Sequence, residues 1–357
     1  MSLFEDCERT HLGRSRLHES EYSYLKRSAR PRAIEACELC ERWFAEYESG
    51  APVDELKHFV RRFRSKRPDQ HHGAWFELLV HHLLLRLGLA VCVRTRPDFI
   101  AISDGHRVLV EATAAGVRRE ISHYEDDALQ KLADLKSENF YVSIEEAEGR
   151  LSRELKRPVL LDPFKRFIQS HDPDEVQRLV AGLGESARPR CTISFDGWRL
   201  SVSLWPASPA HRRPRDNRVN PPPPSRSNYS PVMDARRSIE GKLAKYGRVD
   251  DMLVLAVTVY NLWPQDLSSV ANEAVFGTGG IWHGKGSLRP TPAAVLFFSN
   301  TRPYAVQSIA SCLYVNPSIN SAELPPALLD LPHTKGSNGV EGVEGKSVAE
   351  VLGLPPA

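Results

Sequence analysis

The sequence predicts an α/β protein, because helical and strand-like patterns alternate along it. Apolar residues follow a helical spacing over 73–87, ended by Gly88, and a second helix is expected between Asp234 and Tyr246. The run Met252–Tyr260 is apolar throughout, as in a strand buried on both faces. Shorter strand-like runs lie at 89–94, 98–103 and 107–113. We therefore expect a sheet that helices cover on both sides.

Composition limits the class of protein. In 357 residues, 47 Lys and Arg balance 45 Asp and Glu, which excludes a uniformly basic nucleic-acid coat and an acidic solvating tail. Any contact with nucleic acid must then come from local patches. Six cysteines are too sparse for a secreted disulfide framework. With no visible signal peptide and no run of about 20 apolar residues, we expect a soluble cytoplasmic protein without membrane contact.

Four segments are expected along the chain. Four consecutive prolines, Pro221 to Pro224, exclude a helix or an inner strand there, and the C-terminal residues are rich in Gly, Ser, Pro and Glu. The expected segments are a basic helical extension over 1–70, a core over 71–260 with a basic Pro-rich loop at 206–231, a C-terminal segment packed on the core over 261–330, and a disordered tail over 331–357.

Two basic patches are candidates for contact with DNA phosphates. One follows the polar face of the helix expected from Val53 to Arg64, and the other lies in the Pro-rich loop. The first is either a solvated helix face or a phosphate-contact surface, and the second is either a linker or a contact for the substrate strand. The candidate residues are Arg61, Arg62, Arg64 and Lys66 in the first patch and Arg212, Arg213 and Arg215 in the second.

The dipeptide Asp104-Gly105 predicts the register of a hairpin. Asp-Gly is a strong signal for a two-residue turn, which pairs Ser103 with His106. Continuing that register places Asp98 directly opposite Glu111, with Cβ atoms about 4.5–5.5 Å apart. The alternative is a different register, with both acids in contact with solvent.

The opposed carboxylates of Asp98 and Glu111 need a compensating charge. Their neighbours in the strands are apolar, and like charges this close are destabilising unless a shared proton or a cation neutralises them. Mg²⁺ prefers carboxylate oxygens and keeps waters for phosphate chemistry. Glu77 is a third candidate, because it lies inside an apolar helix. Its carboxylate either faces solvent or is paired or functional.

At these residues the chain resembles the PD-(D/E)XK nucleases, the restriction-endonuclease-like superfamily. The resemblance consists of a helical Glu77, then Pro97-Asp98 opening one strand, then Glu111-Ala112-Thr113 ending the next. More narrowly, the chain resembles a group of bacterial proteins. The segments that carry this second resemblance are Trp43-Phe44, Phe63-Arg64-Ser65, Phe76-Glu77-Leu78, Arg96-Pro97-Asp98-Phe99, Glu111-Ala112-Thr113, Leu243-Ala244-Lys245-Tyr246-Gly247 and Ala274-Val275-Phe276-Gly277.

The resemblance implies a core of order αβββαβ, with a mixed sheet flanked by helices. It also implies an Mg²⁺-dependent deoxyribonuclease, an endonuclease of restriction, defence or repair. Asp98 and Glu111 would bind Mg²⁺ or Mn²⁺, and Glu77 would complete or orient the metal shell. DNA is the expected partner. An RNA substrate, a homodimer and a partner protein are left open.

Thr113 departs from the family pattern, since it stands where the family usually has a lysine. A threonine hydroxyl can hold a water but supplies no charge. Either a lysine from elsewhere serves, or a second metal replaces it, or the chain is a catalytically eroded module that only binds nucleic acid or a partner protein. The candidate lysines are Lys131, Lys242 and Lys245, and Lys245 is preferred because it lies just before the apolar run Met252–Tyr260.

Overall fold

The computed structural model divides the chain into two compact units. The first contains the described residues of Met1–Arg14, Glu19–Arg119 and Ser230–Ala357, and the second contains those between Glu120 and Tyr229. Each unit has a hydrophobic core of its own. The described residues are 1–5, 8–13, 20–116, 123–133, 135, 137–149, 151–184, 187–209, 212, 219–220, 231–246, 249, 251–260, 262, 264–282, 291–299, 301–335 and 341–355.

Helices and strands alternate over most of the described chain. The helices are α1 (Glu21–Arg27), α2 (Pro31–Gly50), α3 (Val53–Phe63), α4 (Pro68–Arg86), α5 (His123–Ala133), α6 (Arg157–Gln169), α7 (Pro173–Leu183), α8 (Pro231–Leu243), α9 (Leu267–Phe276) and α10 (Val348–Val351). The strands are β1 (Ala90–Val93), β2 (Phe99–Ser103), β3 (His106–Ala115), β4 (Phe140–Glu148), β5 (Arg190–Phe195), β6 (Trp198–Pro206), β7 (Val219–Asn220), β8 (Met252–Val259), β9 (Ala294–Phe298), β10 (Ser311–Val315), β11 (His333–Lys335) and β12 (Glu341–Val343).

The first unit is built on a mixed sheet of eight strands, in the order β1-β2-β3-β8-β9-β10-β11-β12. Strands β1, β2 and β3 are antiparallel neighbours, whereas β3, β8 and β9 run parallel. The α/β class and the mixed sheet predicted from the sequence are therefore confirmed. In the sequence, the second unit lies between β3 and α8.

Helices cover both faces of the central strands. Val110 and Ala112 of β3 belong to the core that α4 shares with the N-terminal helices, while Leu109 belongs to the core shared with α8 and α9. Side chains alternate across a strand, so Glu111 lies on the same face as Leu109. That face is covered by α8, which places Glu111 beneath this helix.

The hairpin between β2 and β3 has the predicted register. Asp104 and Gly105 both have positive φ angles, 50° and 81°, as a type I′ turn requires. The pairs run from Ser103 with His106 to Phe99 with Val110. The next residues along this register are Asp98 and Glu111.

The second unit contains a four-stranded sheet in the order β5-β6-β4-β7. Trp198, Phe140 and Phe164 are fully buried in its core. The predicted hairpin at Asp196-Gly197 is present, and both residues again have positive φ angles, 46° and 85°.

Two expected segments differ in the structure. The C-terminal residues expected to be disordered include β11, which pairs with β10, and fully buried Leu331 and Val348. Isolated apolar residues in a Gly- and Ser-rich stretch are enough to anchor it to a core that other segments supply. The N-terminal helices likewise share one core with α4, through Phe44 and Phe63, and are not a separate extension.

Most of the Pro-rich loop at 206–231 lies outside the described residues. Within the described ranges, none of the helices is long and apolar enough to cross a membrane.

Candidate active site

Asp98 and Glu111 are brought together by the β2–β3 hairpin. The backbone N–H of Asp98 donates to Glu111 Oε2 over 3.3 Å, and the N–H of Ala112 donates to Asp98 Oδ2 over 2.8 Å. The side chain of Glu111 is 5% exposed and that of Asp98 is 18% exposed. The register predicted from the turn therefore does place both carboxylates side by side, with Glu111 buried and Asp98 partly exposed.

Lys242 supplies a positive charge to this pair. It lies in the last turn of α8, its ammonium group donates to Glu111 Oε1, and its Nζ is 3.8 Å from Asp98 Oδ2. Burial alone would lower the pKa of Lys242, but the carboxylates of Asp98 and Glu111 raise it above its ordinary value. Lys242 therefore stays charged.

Tyr246 holds the other oxygen of the same carboxylate. It follows Lys242 by four residues, and its hydroxyl donates to Glu111 Oε2. Burial and this hydrogen bond raise the pKa of Tyr246 well above its ordinary value, so the phenol remains a donor. Both oxygens of Glu111 are thus held from the α8 side, which fixes the orientation of the carboxylate.

Glu77 is buried and bonded on both oxygens. Tyr47 Oη donates to Oε1 over 2.8 Å, and Arg62 Nη2 donates to Oε2 over 2.5 Å. Glu77 is therefore the paired carboxylate, not the solvent-facing one, of the alternatives that the sequence left open. Its part in completing or orienting a metal shell stays a prediction. Burial lowers the pKa of Arg62, but the charge and the hydrogen bond of Glu77 raise it by more, so the guanidinium group stays charged.

The site has more negative than positive groups. Three carboxylates (Glu77, Asp98 and Glu111) face two cations, Arg62 and Lys242. Burial, followed by the charge of Glu77, raises the pKa of Asp98 to about 7, although Lys242 and the N–H of Ala112 oppose the rise. The excess negative charge is therefore on Asp98, where a bound proton or a cation would neutralise it.

Of the three candidate lysines, the structure brings only Lys242 to the carboxylates. Lys245, which the sequence favoured, is exposed beyond the end of α8. Lys131 belongs to the second unit, where its ammonium group lies 2.6 Å from Asp127 Oδ2 and 2.9 Å from Glu154 Oε1. This geometry favours Lys242 over Lys245, because Lys242 lies in the last turn of α8 against the sheet, whereas Lys245 follows the end of the helix at Leu243 and is exposed.

Thr113 is half-buried in β3, where it pairs with Val257 of β8. It lies two residues beyond Glu111, on the same face of the strand. The positive charge that the structure places against Glu111 is that of Lys242, in α8.

The predicted basic patches are largely engaged elsewhere. Arg62 is bonded to Glu77, Arg64 donates to the backbone oxygens of Ser2 and Leu3, and Arg212 donates to Asp174 Oδ1 over 2.6 Å. In the first patch, Arg61 and Lys66 are exposed. The structure of Arg213 and Arg215 lies outside the described residues.

The residues present fit a metal site with two protein ligands. Among the described residues, no group of three or more His, Cys, Asp or Glu side chains is arranged to hold a metal ion. Asp98 and Glu111, however, are adjacent carboxylates, and Asp98 carries the excess charge. Mg²⁺ is commonly bound by one or two carboxylates, with water and substrate phosphate completing the shell.

Comparisons of the chain with protein-family models, with curated proteins and with solved structures found no match in any of the three. The site is therefore interpreted from its own geometry.

Sequence reasoning missed Lys242 as the preferred lysine, and it missed Tyr246 and Tyr47 altogether. The i, i+4 spacing of Lys242 and Tyr246 before the apolar strand β8 was a usable signal. A parallel neighbour of β3 must be preceded by a helix packed on the sheet, and that helix ends close to Glu111. For Glu77, the signal was the need of a buried carboxylate for a cation.

Proposed function

We propose that this protein is a divalent-metal-dependent nuclease that hydrolyses phosphodiester bonds in DNA, with Asp98, Glu111 and Lys242 at the reacting centre. The single observation that carries the proposal is the position of the Lys242 ammonium group against the opposed carboxylates of Asp98 and Glu111. Two carboxylates and a lysine are the groups that the nuclease pattern requires, here with the lysine on a different element.

The carboxylates of Asp98 and Glu111 would hold Mg²⁺ or Mn²⁺. When bound, such an ion polarises a phosphoryl oxygen and lowers the pKa of a coordinated water. Tyr246 orients Glu111 for this role by bonding Oε2. Glu77 serves differently: held by Arg62 and Tyr47, it adds negative charge next to Asp98, which favours a cation there.

Lys242 acts as an electrostatic group. Its pKa is raised, so the ammonium is charged at neutral pH and cannot accept a proton from water. A fixed positive charge close to the reacting phosphate stabilises the negative charge that develops there in the transition state. Its place at the end of α8, a regular helix packed on the sheet, holds that charge in a defined position.

The element order also supports the proposal. The succession α4-β1-β2-β3-α8-β8, with β3 parallel to β8, has the αβββαβ order of the restriction-endonuclease-like core. In that core the metal-binding carboxylates lie at the β2–β3 hairpin, as Asp98 and Glu111 do here.

Cleavage of supercoiled plasmid with Mn²⁺ tests the proposal. The wild type is expected to nick the plasmid, and the Asp98→Ala and Glu111→Ala variants are expected to lose this activity while remaining folded by circular dichroism. Cleavage that is equal in both variants would exclude the carboxylate site. A wild type that binds DNA but leaves every metal-supplemented substrate intact would favour the eroded binding module.

A further inference from the structure

We infer that Arg94, Arg96 and Lys245 form a phosphate-contact surface for a DNA duplex beside the candidate active site. We call these three exposed side chains the basic rim. The inference rests on the proposed function for its substrate and adds the residues that hold that substrate. Arg94 and Arg96 are not among the candidate DNA-contact residues of the two basic patches, and Lys245 takes here a binding role in place of the catalytic one that the sequence suggested.

Arg94 and Arg96 are carried by the short connection between β1 and β2. The backbone N–H of Arg94 donates to the carbonyl oxygen of Asp98 over 2.9 Å, which closes the connection into a turn. Pro97 is buried inside this turn, and the two arginines are exposed. The turn ends at Asp98 itself, so its exposed charges lie next to the first carboxylate of the site.

Lys245 approaches from the opposite element. It directly precedes Tyr246, whose hydroxyl donates to Glu111. The backbone N–H of Asp98, at the end of the β1–β2 turn, donates to the same oxygen of Glu111 as the Tyr246 hydroxyl does. The basic rim therefore draws on the β1–β2 turn and on the segment after α8, the two segments that meet at the carboxylate pair.

The rim charges are not neutralised by acids of the described chain. Within the described ranges, Arg94, Arg96 and Lys245 form no ion pair, and the nearest acid along α3, Glu55, accepts from Thr95 Oγ1 over 2.5 Å. The three carboxylates beneath are largely buried, and Arg62 and Lys242 offset two of their charges. Arg94, Arg96 and Lys245 thus present three exposed positive charges that have no ion-pair partner among the described residues, and such charges complement a polyanionic backbone.

Exposed arginines elsewhere provide a matched control. Arg107 lies on β3, is similarly exposed, and forms an ion pair with Asp251 over 3.4 Å. Its replacement removes one positive charge, as each of the three rim substitutions does, without touching the rim. Glutamine substitutions keep most of the side-chain length at every position. A difference in DNA affinity between the variants therefore reflects the lost charge.

Fluorescence anisotropy with a short labelled DNA duplex tests the inference. EDTA is present throughout, so that neither metal binding nor cleavage contributes. The variant R94Q/R96Q/K245Q is expected to bind at least about tenfold more weakly than the wild type. Its plot of log affinity against log salt should be shallower by about 2.7, since each phosphate contact contributes about 0.9. The control R107Q is expected to bind within about twofold of the wild type.

Three results would overturn the inference: no salt-dependent binding by the wild type, equal binding by the triple variant, or tighter binding of an RNA duplex than of DNA. The outcome is separable from that of the nuclease proposal. If the triple variant loses affinity while the wild type fails to cleave with Mn²⁺, the contact surface stands and the nuclease proposal fails. If the wild type cleaves but the rim variant binds normally, the nuclease proposal stands and the inference of the contact surface fails.

Discussion

The ammonium group of Lys242 donates a hydrogen bond to the carboxylate of Glu111, although the two residues are 131 positions apart in the sequence. The contact joins the last turn of α8 to the middle of the central strand β3. In the metal-free protein this ammonium group is the charge that balances the carboxylate pair. The same charge would repel a divalent cation that binds to the oxygens of this pair.

This competition predicts how Lys242 affects metal binding. Lys242→Met removes the ammonium and leaves the carboxylates of Asp98 and Glu111 uncompensated. We expect Mn²⁺ to bind to this variant at least about tenfold more tightly than to the wild type, as measured by isothermal titration calorimetry. Glu111→Gln is the matched loss-of-site variant and should abolish the heat of binding. Weaker binding by Lys242→Met would show that the lysine helps to hold the metal rather than competing with it.

The buried pair of Arg62 and Glu77 predicts a stability effect. The side chain of Glu77 is 8% exposed and that of Arg62 is 28% exposed, so Arg62→Met leaves a buried carboxylate without its cation. We expect the free energy of unfolding to fall by about 2–4 kcal/mol, somewhat below the cost for a fully buried pair. Urea denaturation followed by circular dichroism measures it.

The neighbouring Arg61 is the control for that experiment. It is exposed on the same helix, and Arg61→Met should leave the unfolding midpoint unchanged. Adding Glu77→Gln to Arg62→Met should restore part of the loss, because it removes the unpaired charge. Equal midpoints for the Arg62 and Arg61 variants would contradict the assignment of Arg62 to Glu77.

The raised pKa of Asp98 predicts a pH dependence of stability without metal. The folded protein holds a proton up to about pH 7 that the unfolded chain releases near 3.8. The stabilising effect of this proton is complete below pH 3.8 and is lost as pH rises through 7. Asp98→Asn should therefore gain stability relative to the wild type between pH 4 and pH 7, by up to about 4 kcal/mol. Urea midpoints of both proteins in EDTA across this range measure the gain.

An unchanged difference between the two proteins from pH 4 to pH 7 would mean that Asp98 is ionised throughout. Comparing the variant with the wild type matters here because burial lowers the pKa of His71 and of His81 to about 4. Those imidazoles favour folding as pH rises from 4 to 6.5, the opposite direction, and they contribute equally to both proteins.

The pairing of Asp98 with Glu111 could be predicted from the sequence because it depends on local geometry. The Asp-Gly turn fixes the φ angles of two residues, the turn fixes the register, and the register places Asp98 opposite Glu111. Each step involves residues close in sequence, so no tertiary knowledge was needed. The apolar run of β8 was readable for the same reason, because a strand buried on both faces contains few polar residues.

The rest of the site depends on packing between distant segments. Lys242 and Lys245 differ by three positions on or just after one helix, and only the way α8 packs on β3 decides which of them reaches Glu111. Arg62 had the pattern of an exposed basic stripe, yet it turns inward because Glu77 lies beneath it. The insertion of the second unit between β3 and α8 has no local signal either, since its own helices and strands follow the same patterns.

Plasmid cleavage by Lys242→Met at saturating DNA tests the central claim most directly. Lys131→Met is the matched control, because Lys131 is the lysine that the structure places in the second unit, with Asp127 and Glu154. With Mn²⁺ present, we expect Lys242→Met to lose at least about a hundredfold in cleavage rate and Lys131→Met to cleave like the wild type. Wild-type cleavage by Lys242→Met would contradict the assignment of the catalytic charge to α8.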